Sequence, residues 1–499
     1  MKSILKSSSI ISIMTLISRI VGFVRDAIIA RLFGVSPALD AFIVAFKIPN
    51  FFRRLFAEGA FSQSVMPILA TSQQEKNEQE VINHIAGRLF TILLITTIIG
   101  VIASPVIIFA FAWGFYFDNA QQFYLASDLL KITFPYLLLI SLTAFFGSIL
   151  NSHQQFLIPA ITPVLLNVAI ILSSIFLGDY FTNPIFSLAW GVFIGGVLQL
   201  LLQIPFLVKI GKLPKFKNKK HPVLKTLKER MLPAIFGLSV SQINLLIDTM
   251  IASTLVAGSI SWLYYANRLL ELPLALVGVA LGVVSIAKLS KYFANNDNEN
   301  FKKTIDESFK LAIIFAVPAS FGLVILAKPL IITLFAYGNF AIVDSTNSAL
   351  ALSAYGLGLV FFILIKIIAP IFLARGDTKT PVIAGIFAMV TNIVLNIILA
   401  YFYGFVGIAI ATSISALINF GILLFFSYHK NIYKINKNLL LLTIKVLVSS
   451  IIMAIFLIIF KFDYISLSVY DRVLSLAITI ILSLVIYFVT LMFFRVKLR

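Results

Sequence analysis

The chain has 499 residues, of which 60% are hydrophobic and only 12% charged, and its mean hydropathy is +1.03. Soluble domains carry about 25% charged residues, so a water-soluble fold is excluded. Cysteine is absent, which removes disulfides, thiolate catalysis and Cys-ligated metals, and the formal net charge of +19 reflects where lysines sit beside apolar spans, not a nucleic-acid footprint.

In chain order, the first apolar run covers 9–33 and contains Arg19 and Arg25. No small-residue cleavage site follows it, so it reads as a retained span and not as a signal peptide. The second, 37–70, holds Asp40, Lys47, Arg53, Arg54 and Glu58. Spans at 86–112, 123–151, 158–178 and 184–208 complete a first set of six. A lysine-rich stretch at 209–230 leads into 223–256, which carries Asp248. The next is 262–290 with Arg268 and Glu271, then 302–334, 345–373 with Lys366, 380–401, 404–428, 439–460 and 472–494. Each can cross a hydrocarbon core of about 30 Å. The expected fold is an all-α polytopic membrane protein of about 14 transmembrane helices.

Alternating the loops between two sides separates the charges. One side receives Lys2 and Lys6, Lys76 and Arg88, and then Lys209, Lys212, Lys215, Lys217, Lys219, Lys220, Lys225, Lys228 and Arg230. It also receives Lys288 to Lys303, Arg375 and Lys379, Lys430 to Lys437, and Arg495, Lys497 and Arg499. The opposite loops contain no Lys or Arg apart from Lys461. By the positive-inside rule both termini are expected in the cytoplasm of a multi-pass plasma-membrane protein.

Two segments repeat at a nearly constant interval. Thr162-Pro163-Val164 with Asn167 returns as Thr380-Pro381-Val382 with Asn392, 218 residues on, and Asp26 returns as Asp248, 222 residues on. The expected domains are an N-lobe at 1–208, a basic linker at 209–230, a C-lobe at 231–428 and a C-terminal helix pair at 429–499. An offset of six helices preserves orientation, and transporters built this way bind substrate between lobes that rock against each other.

Charges inside hydrocarbon cost several kcal/mol unless they face a cavity, a partner or the interface. Arg31 and Arg54 read as interfacial. Arg19 lies too far from either end of its run to snorkel. Arginines converging from the first, second and eighth spans would form a deep cationic site, and guanidinium forks match phosphate oxygens bidentately. The carboxylates Asp40, Glu58, Asp248 and Glu271 are scattered, with no nucleophile beside them, and the four histidines (His84, His153, His221, His429) fall at loops or span edges. No phosphate-binding loop motif occurs, so an ion gradient or the membrane potential is the expected energy source. Asn392 and Asn396, i and i+4 on one helix face, with Thr412 and Asp248, are a candidate site for a monovalent cation, Na+ being the candidate coupling ion. Ordinary interhelical hydrogen bonding by Asn and Thr is the alternative reading.

The run Ser18-Arg19-Ile20-Val21-Gly22-Phe23-Val24-Arg25-Asp26, then Asp40 to Asn50, then Arg53-Arg54-Leu55-Phe56-Ala57-Glu58-Gly59-Ala60-Phe61-Ser62, resembles the opening signature of the MurJ (MviN) family of lipid II flippases. Further similar segments are Lys131 to Pro135, Ser261-Trp262 with Tyr265-Ala266-Asn267-Arg268, and Lys379 to Val382. The resemblance implies a MOP-type transporter with two six-helix lobes and two C-terminal helices that form a groove for the lipid tail. It implies lipid II and membrane lipids as partners; with no catalytic cluster and no nucleic-acid footprint, the expectation is a transporter without a bound cofactor and not an enzyme, and a monomer is expected although the sequence does not itself fix the oligomeric state. By matching positions, Ser18, Arg19, Arg25, Arg53 and Arg268 take headgroup-binding roles, with Asp40 and Glu58 as functional acids. Asn267 departs from the pattern, since an Asp is expected beside that arginine. A related MOP-type exporter of drugs or of another lipid-linked oligosaccharide is the alternative.

Overall fold

A computed structural model describes residues 2–55, 61–460 and 462–496, with side chains described from residue 13 onward except 54, 55, 62, 63 and 232–243. No strand occurs among the described residues. Among the described residues, ten helical stretches are long and apolar enough to cross a membrane, and many of their aliphatic side chains face outward, as a lipid solvent requires.

The chain groups into two compact units, Met1–Gly258 and Ser259–Arg499. The first holds α1 (Lys2–Phe33), α2 (Pro37–Leu55), α3 (Phe61–Gln74), α4 (Glu78–Ile102), α5 (Ser104–Phe111), α6 (Trp113–Asp118), α7 (Ala120–Thr133), α8 (Tyr136–Ser152), α9 (Leu157–Phe176), α10 (Phe186–Lys209) and α11 (Pro222–Ala252). Sequence reasoning places the boundary at the basic linker. By its contacts α11 groups with the first unit, packing on α2 through α6. Within this unit α1 lies along α9, α9 along α10, and α2 along α7. Phe61, Val65, Leu69, Ile82, Ile85, Phe145, Ile149 and Leu207 form a shared core under α3, α4 and α8.

In this unit two spans that look continuous in hydropathy are broken among the described residues. The expected 86–112 helix stops at Ala103 and restarts as α5, whose Ser104-Pro105 start puts proline where a missing N–H costs nothing. The expected 123–151 helix is α7 and α8, separated at Phe134-Pro135, where proline removes a ladder donor.

The second unit holds α12 (Ser259–Pro273), α13 (Ala280–Ala294), α14 (Asn298–Ile325), α15 (Ala327–Phe335), α16 (Ile342–Leu373), α17 (Lys379–His429), α18 (Lys437–Ile459) and α19 (Val469–Phe493). A π-helical turn, Leu274–Val279, follows Pro273 and joins α12 to α13. α16 packs on α14 and α17, and α18 on α14 and α19. The 51 residues of α17 are two arms, broken at Gly404 with φ 56° and ψ −138°. Asn392 Nδ2 lies 3.4 Å from Thr412 Oγ1, whereas 20 residues of straight helix would separate them by about 30 Å. The arms therefore fold back on each other, matching the separate spans expected at 380–401 and 404–428.

Candidate functional site

In the first unit the site is built where α1 meets α9. Arg25 donates from Nε and Nη2 to Asp26 Oδ1 at 2.9 and 2.7 Å, and from Nη1 to Asn167 Oδ1 at 2.9 Å. Asn167 Nδ2 donates to the Ser18 carbonyl at 3.3 Å, so both ends of its amide are used and its orientation is fixed. Arg25 is 7% exposed and Asp26 0%. A pair this deep persists only because charge and hydrogen bonds offset the loss of water.

Arg19 sits on another side of α1. It is exposed, flanked by exposed Ile17 and Ile20, and has no hydrogen bond or ion pair among the described residues. Six residues apart, Arg19 and Arg25 diverge by about 120° around the helix, which is why one is buried and the other is not.

On α2, the half-buried Arg53 donates from Nε to Asn50 Oδ1 at 2.7 Å. Lys47 Nζ donates to Thr249 Oγ1 of α11 at 2.9 Å. Asp40, 2% exposed, accepts the Gly258 N–H at 2.6 Å and borders a cavity of about 390 Å³ lined also by Phe115, Asp118, Gln122 and Ala252 to Ala257. Glu58 lies outside the described residues.

In the second unit Arg268 Nη1 lies 3.3 Å from Glu271 Oε2, and Asn267 Nδ2 reaches Glu271 Oε1 at 3.4 Å. Asn267 stands where the resemblance leads one to expect an Asp; Glu271 lies one helical turn on, and its single carboxylate serves both side chains. Asn396 Nδ2 donates to Asn392 Oδ1 at 3.0 Å, Asn392 Nδ2 to Thr412 Oγ1, and Thr412 Oγ1 to the Ile408 carbonyl at 2.9 Å. Both asparagines are fully buried. Asp248, the fourth member of the candidate cation set, belongs to the first unit. In the loop after α16, Asp377 receives hydrogen bonds from Lys430 Nζ, Thr380 Oγ1 and the Thr380 N–H. Burial pushes its carboxyl up, but those bonds and the Lys430 charge outweigh it and hold the group at about 2.

A family model described as "Lipid II flippase MurJ" matches residues 29–478. The chain belongs to this family. A probable lipid II flippase MurJ of Vibrio cholerae is 46% identical over 433 residues, covering 85% of this chain and 82% of the relative. The lipid II flippase MurJ of Burkholderia cenocepacia is 40% identical, covering 83% of this chain and 82% of its own length. Among solved structures, a lipid II flippase MurJ in an inward closed conformation superposes with a TM-score of 0.82 at 30% identity, covering 95% of this chain and 97% of that one. A multidrug resistance MATE family transporter of the MOP superfamily superposes at 0.70 with 15% identity, covering 83% and 94%, which shows a shared fold.

The structure brings Ser18, Arg25, Asp26 and Asn167 together, bonds Arg53 to Asn50 one turn back on α2, and ties Lys47 to α11. Sequence reasoning missed Asn167 and Thr249 as partners of these cations. The available signal was a lone amide and a lone hydroxyl in otherwise apolar helices, which in hydrocarbon need a partner.

Proposed function

We infer that this chain moves lipid II, the lipid-linked peptidoglycan precursor, from the cytoplasmic to the periplasmic leaflet of the bacterial inner membrane. It is a transporter and makes no covalent change to its cargo. The observation that carries this reading, beyond family membership, is Arg19: an exposed guanidinium in an apolar helix with no described partner. Such a charge is costly in hydrocarbon and is relieved by water or by an anion. A diphosphate supplies that anion and fits the guanidinium fork.

In this reading Arg19, Arg25, Arg53 and Arg268 meet the diphosphate and sugar end, with Ser18, Asp40 and Glu58 nearby. The helices of 429–499 receive the lipid tail. The segments 1–208 and 231–428 act as rocking lobes joined by 209–230, and both termini lie in the cytoplasm. Asp248, Asn392, Asn396 and Thr412 hold a coupling cation, Na+, and the membrane potential or the ion gradient supplies the work. The working unit is a monomer.

The test is complementation of a bacterium depleted of its own flippase, paired with a leaflet-exposure assay for lipid II with and without membrane potential. Arg19→Ala is expected to insert normally yet fail to support growth. Wild-type growth with that variant would remove the main physical support for the reading. Binding of lipid II in preference to a cationic dye separates it from drug export by the same fold.

A further inference from the structure

The segment leading out of α10 does not hang free. It is laid along α4. Gln79 Nε2 donates to the Leu213 carbonyl at 3.0 Å, the Lys215 N–H to Asn83 Oδ1 at 2.7 Å, and the Lys217 N–H to the Asn83 carbonyl at 3.1 Å. Phe90 and Phe216 pack with ring centres 4.9 Å apart and planes tilted by 45°. The Lys217 backbone passes so close to Gly87 that a Cβ there would sit 2.4 Å from it. This strap delivers His221 onto His84, ring centres 4.6 Å apart and planes 23° from parallel.

One turn before His84 on the same helix face lies Glu80. One carboxylate oxygen of Glu80 and one ring nitrogen of each histidine lie within 4.8 Å of one another. His84 Nδ1 is 2.9 Å from the Glu80 carbonyl, which can only accept, so that nitrogen carries the proton and Nε2 keeps its lone pair. A ring oriented by a backbone carbonyl in this way is the usual preparation of a metal-ligating histidine. The Glu80 carboxylate is exposed and has no hydrogen-bonding partner among the described residues. Tetrahedral coordination needs ligand atoms about 3.3 Å apart, a contraction that takes rotation of the Glu80 side chain and a turn of the His221 ring out of the stack, so that both in-plane lone pairs meet one ion. Lys219 and Lys220 are exposed and oppose a cation only through screened interactions.

We propose that Glu80, His84 and His221 form a binding site for a divalent transition metal of the Zn2+ class, which clamps the 209–221 strap to α4. The site lies wholly within the first unit and stands apart from the transport reading. His221 also caps α11, its Nδ1 accepting the Val223 N–H at 3.2 Å. Coordination through either ring nitrogen removes that bond, so metal occupancy and the first turn of α11 are coupled.

The full chain, purified in detergent with any affinity tag removed and stripped by chelator, is titrated with Zn2+ against a chromophoric chelator. One equivalent is expected to bind, and affinity is expected to fall on the order of 100-fold in His84→Ala and in His221→Asn. His221→Asn retains an N-capping side chain, so its loss of metal does not reflect an uncapped helix. In the second readout, Zn2+ is expected to slow tryptic cleavage after Lys219 and Lys220 in the wild type and not in His221→Asn. Absence of a bound equivalent in the wild type, or unchanged affinity in both histidine variants, would overturn the proposal.

Discussion

Replacing Arg25 with methionine isolates the contribution of the buried pair on α1. The substitution removes the three hydrogen bonds donated by a side chain that is 7% exposed and leaves Asp26, 0% exposed, without its guanidinium. Breaking a buried pair by deleting one partner costs about 3–5 kcal/mol, most of it the penalty of an uncompensated charge. Spread over a unit of about 250 residues, where each kcal/mol shifts Tm by about 2–4 °C, this corresponds to a fall on the order of 10 °C. The assay is a thermal scan of the detergent-purified protein by intrinsic fluorescence. Adding Asp26→Leu to Arg25→Met is expected to recover most of the loss, since an apolar pair of similar volume replaces the ionic one at little cost. If the double variant melts no higher than Arg25→Met alone, the stranded charge is not the cause and the reasoning fails.

Arg19→Ala is expected to leave Tm within about 1 °C of wild type, because surface changes that break no contact usually stay within about 0.5 kcal/mol; a large shift would reveal a partner for Arg19. Asp377, held at about 2, contributes stability that is fully present above its ordinary value near 3.8 and is lost as pH falls toward about 2. Asp377→Asn should therefore lower Tm at pH 7 by an amount that vanishes near pH 2, and about 1 kcal/mol is expected because Lys430 is 42% exposed and its charge is screened. Gly404→Ala places a Cβ on a backbone at φ 56° and ψ −138°, a region that costs other residues about 1–3 kcal/mol; a variant that melts like wild type would mean the turn rearranges freely.

Hydropathy carried most of the architecture, because crossing hydrocarbon constrains length and composition more tightly than a soluble fold does. It was blind to the breaks at Ala103, at Phe134-Pro135 and after Pro273, since an averaged window smooths over the single missing donor that produces each one. Arg19, Arg25, Asp40 and Arg268 were legible as conspicuous charges in apolar surroundings. Their partners were not: Asn167 lies 142 residues from Arg25, and Thr249 lies 202 from Lys47. Glu271 was visible as a nearby acid, yet only the helical spacing on α12 shows that it serves Arg268 and Asn267 together. The histidines illustrate the same limit. Placed separately at span edges, His84 and His221 gave no hint that an ordered strap stacks one ring on the other.

The salt bridge inside α1 has an electrical corollary. Arg25 and Asp26 are neighbours of opposite sign sharing one oxygen, so carrying them jointly through a voltage drop performs almost no net work. An unneutralised guanidinium such as Arg19 exchanges up to about 2.3 kcal/mol per 100 mV over a full traverse. Between Arg19 and Asp26, voltage dependence therefore resides in Arg19, and an anion bound there switches it off.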